Sequence, residues 1–146
     1  TTRLVGSEMC IRDRYYNDSI ASSPTRTALG TLSLYSRKIC IIAGGYDKHI
    51  PYEPLGPVIN DKVKLLILLG DTAPKIEKAV KEASNYDADE IEIVNVTNME
   101  EAVAVARERS TKGDIVSLSP ASASFGLYKN FEERGNHFKS IVNALK

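Results

Sequence analysis

Residues 38–45 read KICIIAGG and residues 63–70 read VKLLILLG. Each is a run of β-branched and aliphatic residues of strand length that stops on glycine. That is the pattern of a strand buried on both faces and turned sharply at its end. The stretches Glu90–Val94 (EIEIV) and Asp114–Leu118 (DIVSL) repeat it less fully, and Arg14–Tyr16 reads as a shorter strand. Helical spacing fills the intervals. Ser22-Ser23-Pro24 supplies a cap and a first-turn proline for a helix to about Tyr35. Residues 52–60 form a Pro-interrupted helical or irregular piece. Asp71 or Thr72 caps a helix to about Ser84, with Ile76, Val80 and Ala83 on one face. Thr97 and Glu100 have capping-box spacing for a helix to about Ser110. A last helix runs from Phe131 to about Leu145, with Phe138, Ile141, Val142 and Leu145 on its inner face. Strand and helix alternate throughout with short connections. The expected fold is therefore α/β, a doubly wound and mostly parallel sheet with helices on both faces. In such sheets ligands bind at the carboxyl ends of the strands, which places Asp18, Ser19, Lys48, Asp71, Ser119 and Ser124 on one rim.

The totals suit one domain. The 146 residues are 42% hydrophobic and 26% charged, with a formal net charge of zero. A balanced charge argues against a nucleic-acid surface. No apolar run approaches the roughly 20 residues that span a bilayer, and no signal peptide is visible, so a cytoplasmic protein is expected. Two cysteines, Cys10 and Cys40, do not make a disulfide framework, and Cys40 reads as a small buried hydrophobe. Residues 1–13 (TTRLVGSEMCIRD) show neither strand alternation nor a helical stripe. LVGSEMCIRDR resembles a translated sequencing-adapter artefact. Residues 1–13 are thus expected to be an artefactual or irregular leader, and residues 14–146 the domain proper.

Three segments offer polar groups on the rim. GGYDK, Gly44 to Lys48, follows a strand; its glycines permit a sharp turn and close approach of a ligand, and Lys48 would present an ammonium to a carboxylate or phosphate. Taken alone, a plain turn with an exposed lysine explains it better. YYNDSIASSP, Tyr15 to Pro24, places Asp18, Ser19 and Ser22 near a helix start, where anions are favoured. Turn and capping chemistry is again the better single explanation. In LSPASASFGLYKNFEERG, Leu118 to Gly135, small residues around Ser124 would admit a ligand, and a tight loop into the last helix accounts for the stretch equally well. Lys129, Glu132, Glu133 and Arg134 are accounted for as solvated charges. Neither G-x-x-x-x-G-K-[ST] nor G-x-G-x-x-G occurs. No nucleophile–base pair is apparent. His49 and His137 lack a Cys or carboxylate arranged for a metal, so no zinc site is expected and each reads as an exposed rim histidine.

Together and in this order, YNDS-x-A-[ST]-x-P, [IL]-x-GG-x-DK and LSPA-x-AS-x-x-x-[FY]-KNFEERG resemble the C-terminal domain of the D-glutamate-adding Mur ligases, from about Tyr15 to the C-terminus. The resemblance implies an ATP-dependent, ADP-forming carbon–nitrogen ligase of peptidoglycan biosynthesis, acting on D-glutamate and UDP-N-acetylmuramoyl-L-alanine as a monomer. It implies that the central ATP-binding domain, which carries the P-loop and the Mg2+ ligands, is absent from this sequence. No catalytic residue is then expected here, and the chain alone is expected to be inactive. By the same resemblance Asp18 contacts the nucleotide, Ser22 the D-glutamate side, and Lys48 a D-glutamate carboxylate. Ser124 and Phe125 hold the other end of D-glutamate, and Phe131 packs beside it. The sequence departs from the family at Ile20, where many relatives have Lys, at Ser122, which replaces a common Cys, and at Gly126, where Asp is usual. Arg3 has the spacing of a nucleotide-contacting arginine but lies in the leader. Two alternatives stay open: a stand-alone α/β module binding an amino acid or nucleotide, and a domain of another Mur ligase or of a folylpolyglutamate synthetase relative. Lys48 with Ser124 favours D-glutamate over a diamino acid.

Overall fold

The computed structural model describes residues 10–11, 15–17, 38–45, 51–110, 115–118, 128 and 130–144. The helix expected from Ser22 to about Tyr35 lies outside these residues. The six strands are β1 (Cys10–Ile11), β2 (Tyr15–Asn17), β3 (Ile39–Ala43), β4 (Val63–Leu68), β5 (Glu92–Asn95) and β6 (Val116–Leu118). The described helices are α1 (Leu55–Lys62), α2 (Ala73–Glu82), α3 (Met99–Arg109) and α4 (Phe131–Asn143). One sheet joins all the strands in the order β1-β2-β6-β3-β4-β5. Every neighbouring pair is parallel except β1 with β2, which is antiparallel. Within the expected leader, Cys10 pairs with Tyr16 and Ile11 with Tyr15.

Alternation along the central strands sends side chains to two cores. Cys40 and Ile42 of β3 and Leu65 and Ile67 of β4 join Met99, Val103 and Ala106 of α3 and Phe138 and Val142 of α4. Ile39 and Ile41 of β3 and Leu66 and Leu68 of β4 join Leu55 and Ile59 of α1 and Ile76 and Val80 of α2. The sheet is thus covered on both faces, as the unbroken apolar strands require. A register shift between Ile39 and Cys40 lets Val63 join the α1/α2 side although Leu65 faces the other. Each fully buried aliphatic side chain contributes about 1.5–3 kcal/mol by leaving water, and all five residues of β3 are buried.

The winding runs outward from β3 through α1, β4 and α2 to β5, with both helices on one face. It then returns across the other face by α3 to β6, on the opposite side of β3. The expected doubly wound α/β fold is therefore present.

The start of α3 differs from expectation, and two others are refined. The helix after β4 begins at Ala73, with Pro74 in its first turn and no side-chain cap bond from Thr72. The box before α3 sits one residue later than Thr97–Glu100. Asn98 accepts from the Glu101 amide at 2.7 Å, and the Glu101 carboxylate accepts from the Thr97 amide at 3.3 Å. Asn is as good a cap as Thr, and the shift leaves Met99 free to enter the core. The residues 52–60 resolve into α1, entered after Pro54. On α2, Ala79 rather than Ala83 joins Ile76 and Val80 inside.

Candidate functional site

Parallel strands end together. Asn17 of β2 pairs with Leu118 of β6, and Leu118 pairs with Ile42 of β3. The carboxyl ends of three adjacent strands therefore lie side by side, with β6 in the middle. The element after β3, α1, covers one face of the sheet, and the helix after β6, α4, covers the other. Divergence of this kind opens a crevice at the strand ends, the place where α/β sheets bind ligands. The three polar segments read from the sequence leave from these three strand ends.

The structure thus brings together the starting points of the segments that carry the candidate residues. Asp18, Ser22, Lys48, Ser124 and Phe125 themselves lie outside the described residues. Phe131 is the first residue of α4, whose cap Asn130 accepts from the Glu133 amide at 2.8 Å. Ser19 and Ser119 also lie outside the described residues, and Asp71 is exposed in the turn before α2.

The approach to Lys48 is closely built. Gly44 has φ of 110°, and Gly70, after β4, has φ of 81°; both are left-handed conformations that glycine adopts without penalty. A side chain on Gly44 would run into the Leu69 carbonyl, and one on Gly70 would meet the Gly45 Cα at 2.8 Å. The backbones after β3 and β4 are in contact because neither carries a Cβ there. Hydrogen bonds continue the pairing beyond the strands. The Leu69 amide donates to the Ala43 carbonyl at 3.1 Å and the Thr72 amide to the Gly45 carbonyl at 3.1 Å. The Gly45 amide donates to the Thr72 hydroxyl at 2.9 Å. Thr72 is fully buried. The sequence suggested this threonine as a helix cap; its hydroxyl instead reaches across to the neighbouring loop.

Two other expectations are corrected on α4. Arg134 is not a solvated charge: it is 3% exposed, and burial pulls its guanidinium down to about 10, still protonated at neutral pH. His137 is half-buried rather than a free rim histidine. Its Nδ1 lies 2.5 Å from the Tyr128 hydroxyl and its Nε2 3.1 Å from a Glu100 carboxylate oxygen. Burial, then the Glu100 charge, push the Tyr128 phenol up to about 12, so Tyr128 keeps its proton. This chain ties residue 128, three positions before Phe131, to α4 and to the first turn of α3. Tyr128 and His137 are nine residues apart and Glu100 is distant, so only the tertiary fold could reveal the link.

A groove of about 460 Å³ is lined by Pro51, Tyr52 and Glu53 with Lys75, Lys78, Ala79 and Glu82. Its described lining lies along α2 and the residues just before α1. Among the described residues no group of three or more His, Cys, Asp or Glu could hold a metal ion. Among them, too, no helix is long and apolar enough to cross a membrane.

Comparison with known proteins identifies the family. Residues 7–122 match the family described as Mur ligase, glutamate ligase domain. The chain is 56% identical over 135 residues to a UDP-N-acetylmuramoylalanine–D-glutamate ligase of Acetivibrio thermocellus, covering 91% of this chain and 29% of that protein. It is 57% identical over 132 residues to the ligase of the same name from Clostridium botulinum strain Okra, covering 90% of this chain and 29% of that protein. The chain thus spans less than a third of the length of these relatives. Since the family match takes in well over half of its residues, the chain belongs to the Mur ligases, as their glutamate ligase domain.

Proposed function

We propose that this chain is the amino-acid-binding domain of a ligase that joins D-glutamate to UDP-N-acetylmuramoyl-L-alanine in peptidoglycan biosynthesis. The observation that carries the reading is the adjacency of β2, β6 and β3 at their carboxyl ends, from which the three family segments leave. In this reading Lys48 pairs with one D-glutamate carboxylate in a charge-assisted contact. Ser22 and Ser124 offer hydroxyls, and Phe125 and Phe131 close the apolar side. Asp18 faces the nucleotide.

ATP with Mg2+ would activate the acceptor carboxylate so that the amine of D-glutamate can displace phosphate from it. In this reading the chain's part is to bind the amino acid, aim its amine and keep water out, which supplies positioning. The relatives' names, which specify D-glutamate, support the substrate.

The test is Lys48→Ala in the intact ligase. One charge-assisted hydrogen bond is worth about 1.5–3 kcal/mol, so the D-glutamate KM should rise by one to two decades. A KM equal to that of the parent enzyme would remove Lys48 from the site.

A further inference from the structure

The rim draws on a fourth strand end that no family motif covers. Thr72, in the turn between β4 and α2, exchanges two hydrogen bonds with Gly45: its hydroxyl accepts from the Gly45 amide at 2.9 Å, and its own amide donates to the Gly45 carbonyl at 3.1 Å. Gly45 is three residues before Lys48 in sequence. The contact is buried, with Thr72 fully inaccessible, and it is framed by the left-handed Gly44 and Gly70. The hydroxyl makes no cap bond to α2, so a helix-starting role does not account for it. A threonine that serves only its helix would point its oxygen at the first-turn amides; this one is spent on the neighbouring loop.

We propose that Thr72 is a positioning residue for D-glutamate binding: by fixing both polar groups of the Gly45 peptide edge, it sets the direction in which the chain leaves β3 toward Lys48. The inference rests on the D-glutamate reading above. Valine has the shape of threonine without the oxygen, so Thr72→Val keeps the packing and removes the acceptor of a buried amide. A misplaced Lys48 would weaken contacts to D-glutamate and leave ligands held elsewhere unaffected.

The experiment is steady-state kinetics of the intact ligase with Thr72→Val, Thr72→Ser and the Lys48→Ala background. For Thr72→Val the D-glutamate KM should rise by up to the one to two decades of Lys48→Ala, because what is lost is the placing of that charge-assisted contact, while the ATP and UDP-substrate KM values stay put. Thr72→Ser should restore the parent KM, because it returns the acceptor. In the Lys48→Ala background, Thr72→Val should add nothing, since the group it positions is gone. Should Thr72→Val not fold, Thr72→Ala removes the same acceptor with less crowding and is read in the same way. An unchanged D-glutamate KM, or an effect that adds in full to that of Lys48→Ala, overturns the inference and leaves a structural role only. Failure of the parent reading looks different: Lys48→Ala itself would then leave the D-glutamate KM unmoved.

Discussion

A methyl group on Gly44 would have nowhere to go. The residue sits at φ of 110° with the Leu69 carbonyl where a Cβ would stand. Gly44→Ala should therefore destabilise the chain by about 3 kcal/mol or more, the sum of a left-handed penalty and a backbone displacement. A thermal melt should fall by about 10 °C for a chain of this size; a fall of a degree or less would mean that the two turns separate easily. At the same scale, legibility divides by how far a side chain's partner lies. Lys48 and Ser124 are site candidates through the family motifs alone, since their local sequence reads equally as a plain turn and a tight loop. Arg134 in a charged stretch reads as solvated, and only packing shows that α4 faces water at 132 and 133 and the interior at 134. His137 and Thr72 were misread for the same reason: the groups they meet, Glu100 and Gly45, are 37 and 27 residues away.

Among the elements, α2 shows how a surface helix is fastened. Glu77 pairs with Lys81 one turn on, at 2.8 Å, and accepts from Asn95 at the end of β5, at 3.1 Å. The Lys81 ammonium, then Asn95, hold the Glu77 carboxyl below its ordinary value of 4.5. A depressed carboxylate contributes stability that is complete above pH 4.5 and is lost as pH falls through the folded value. Glu77→Gln should thus cost about 0.3–0.5 kcal/mol at pH 7, the range of an i,i+4 pair. The gap between variant and parent in urea unfolding should narrow as pH falls below 4.5; a gap that persisted in strong acid would assign the cost to Asn95 or to packing. Element existence was readable because β3 and β4 are unbroken apolar runs ending on glycine. Element starts were less so: two polar residues, Thr97 and Asn98, compete to open α3, and the winner is decided by whether Met99 can reach the core.

For the molecule as a whole, the doubly wound arrangement followed from alternation of strand and helix, since an apolar strand pair needs cover on both sides. The strand order could not follow from alternation alone, because pairing of β6 between β2 and β3 depends on which faces the helices choose. The reading of the chain as an amino-acid-binding domain predicts that it releases no phosphate when mixed with ATP, Mg2+, D-glutamate and UDP-N-acetylmuramoyl-L-alanine. Phosphate release dependent on D-glutamate would show that the chain holds the nucleotide chemistry as well.

That strand order also dictates a sequence of events. Strand β2, near the beginning of the chain, pairs on one side with two-residue β1 and on the other with β6, nearly a hundred positions later. As the polypeptide leaves the ribosome, β3, α1, β4, α2 and β5 can assemble by neighbour-to-neighbour steps, whereas β2 must wait with an open flank until Val116–Leu118 emerge and slot in beside β3. Pairings so distant in sequence form late and slowly. The join of β2, β6 and β3, whose carboxyl ends lie side by side, is thus the last part of the sheet to be completed.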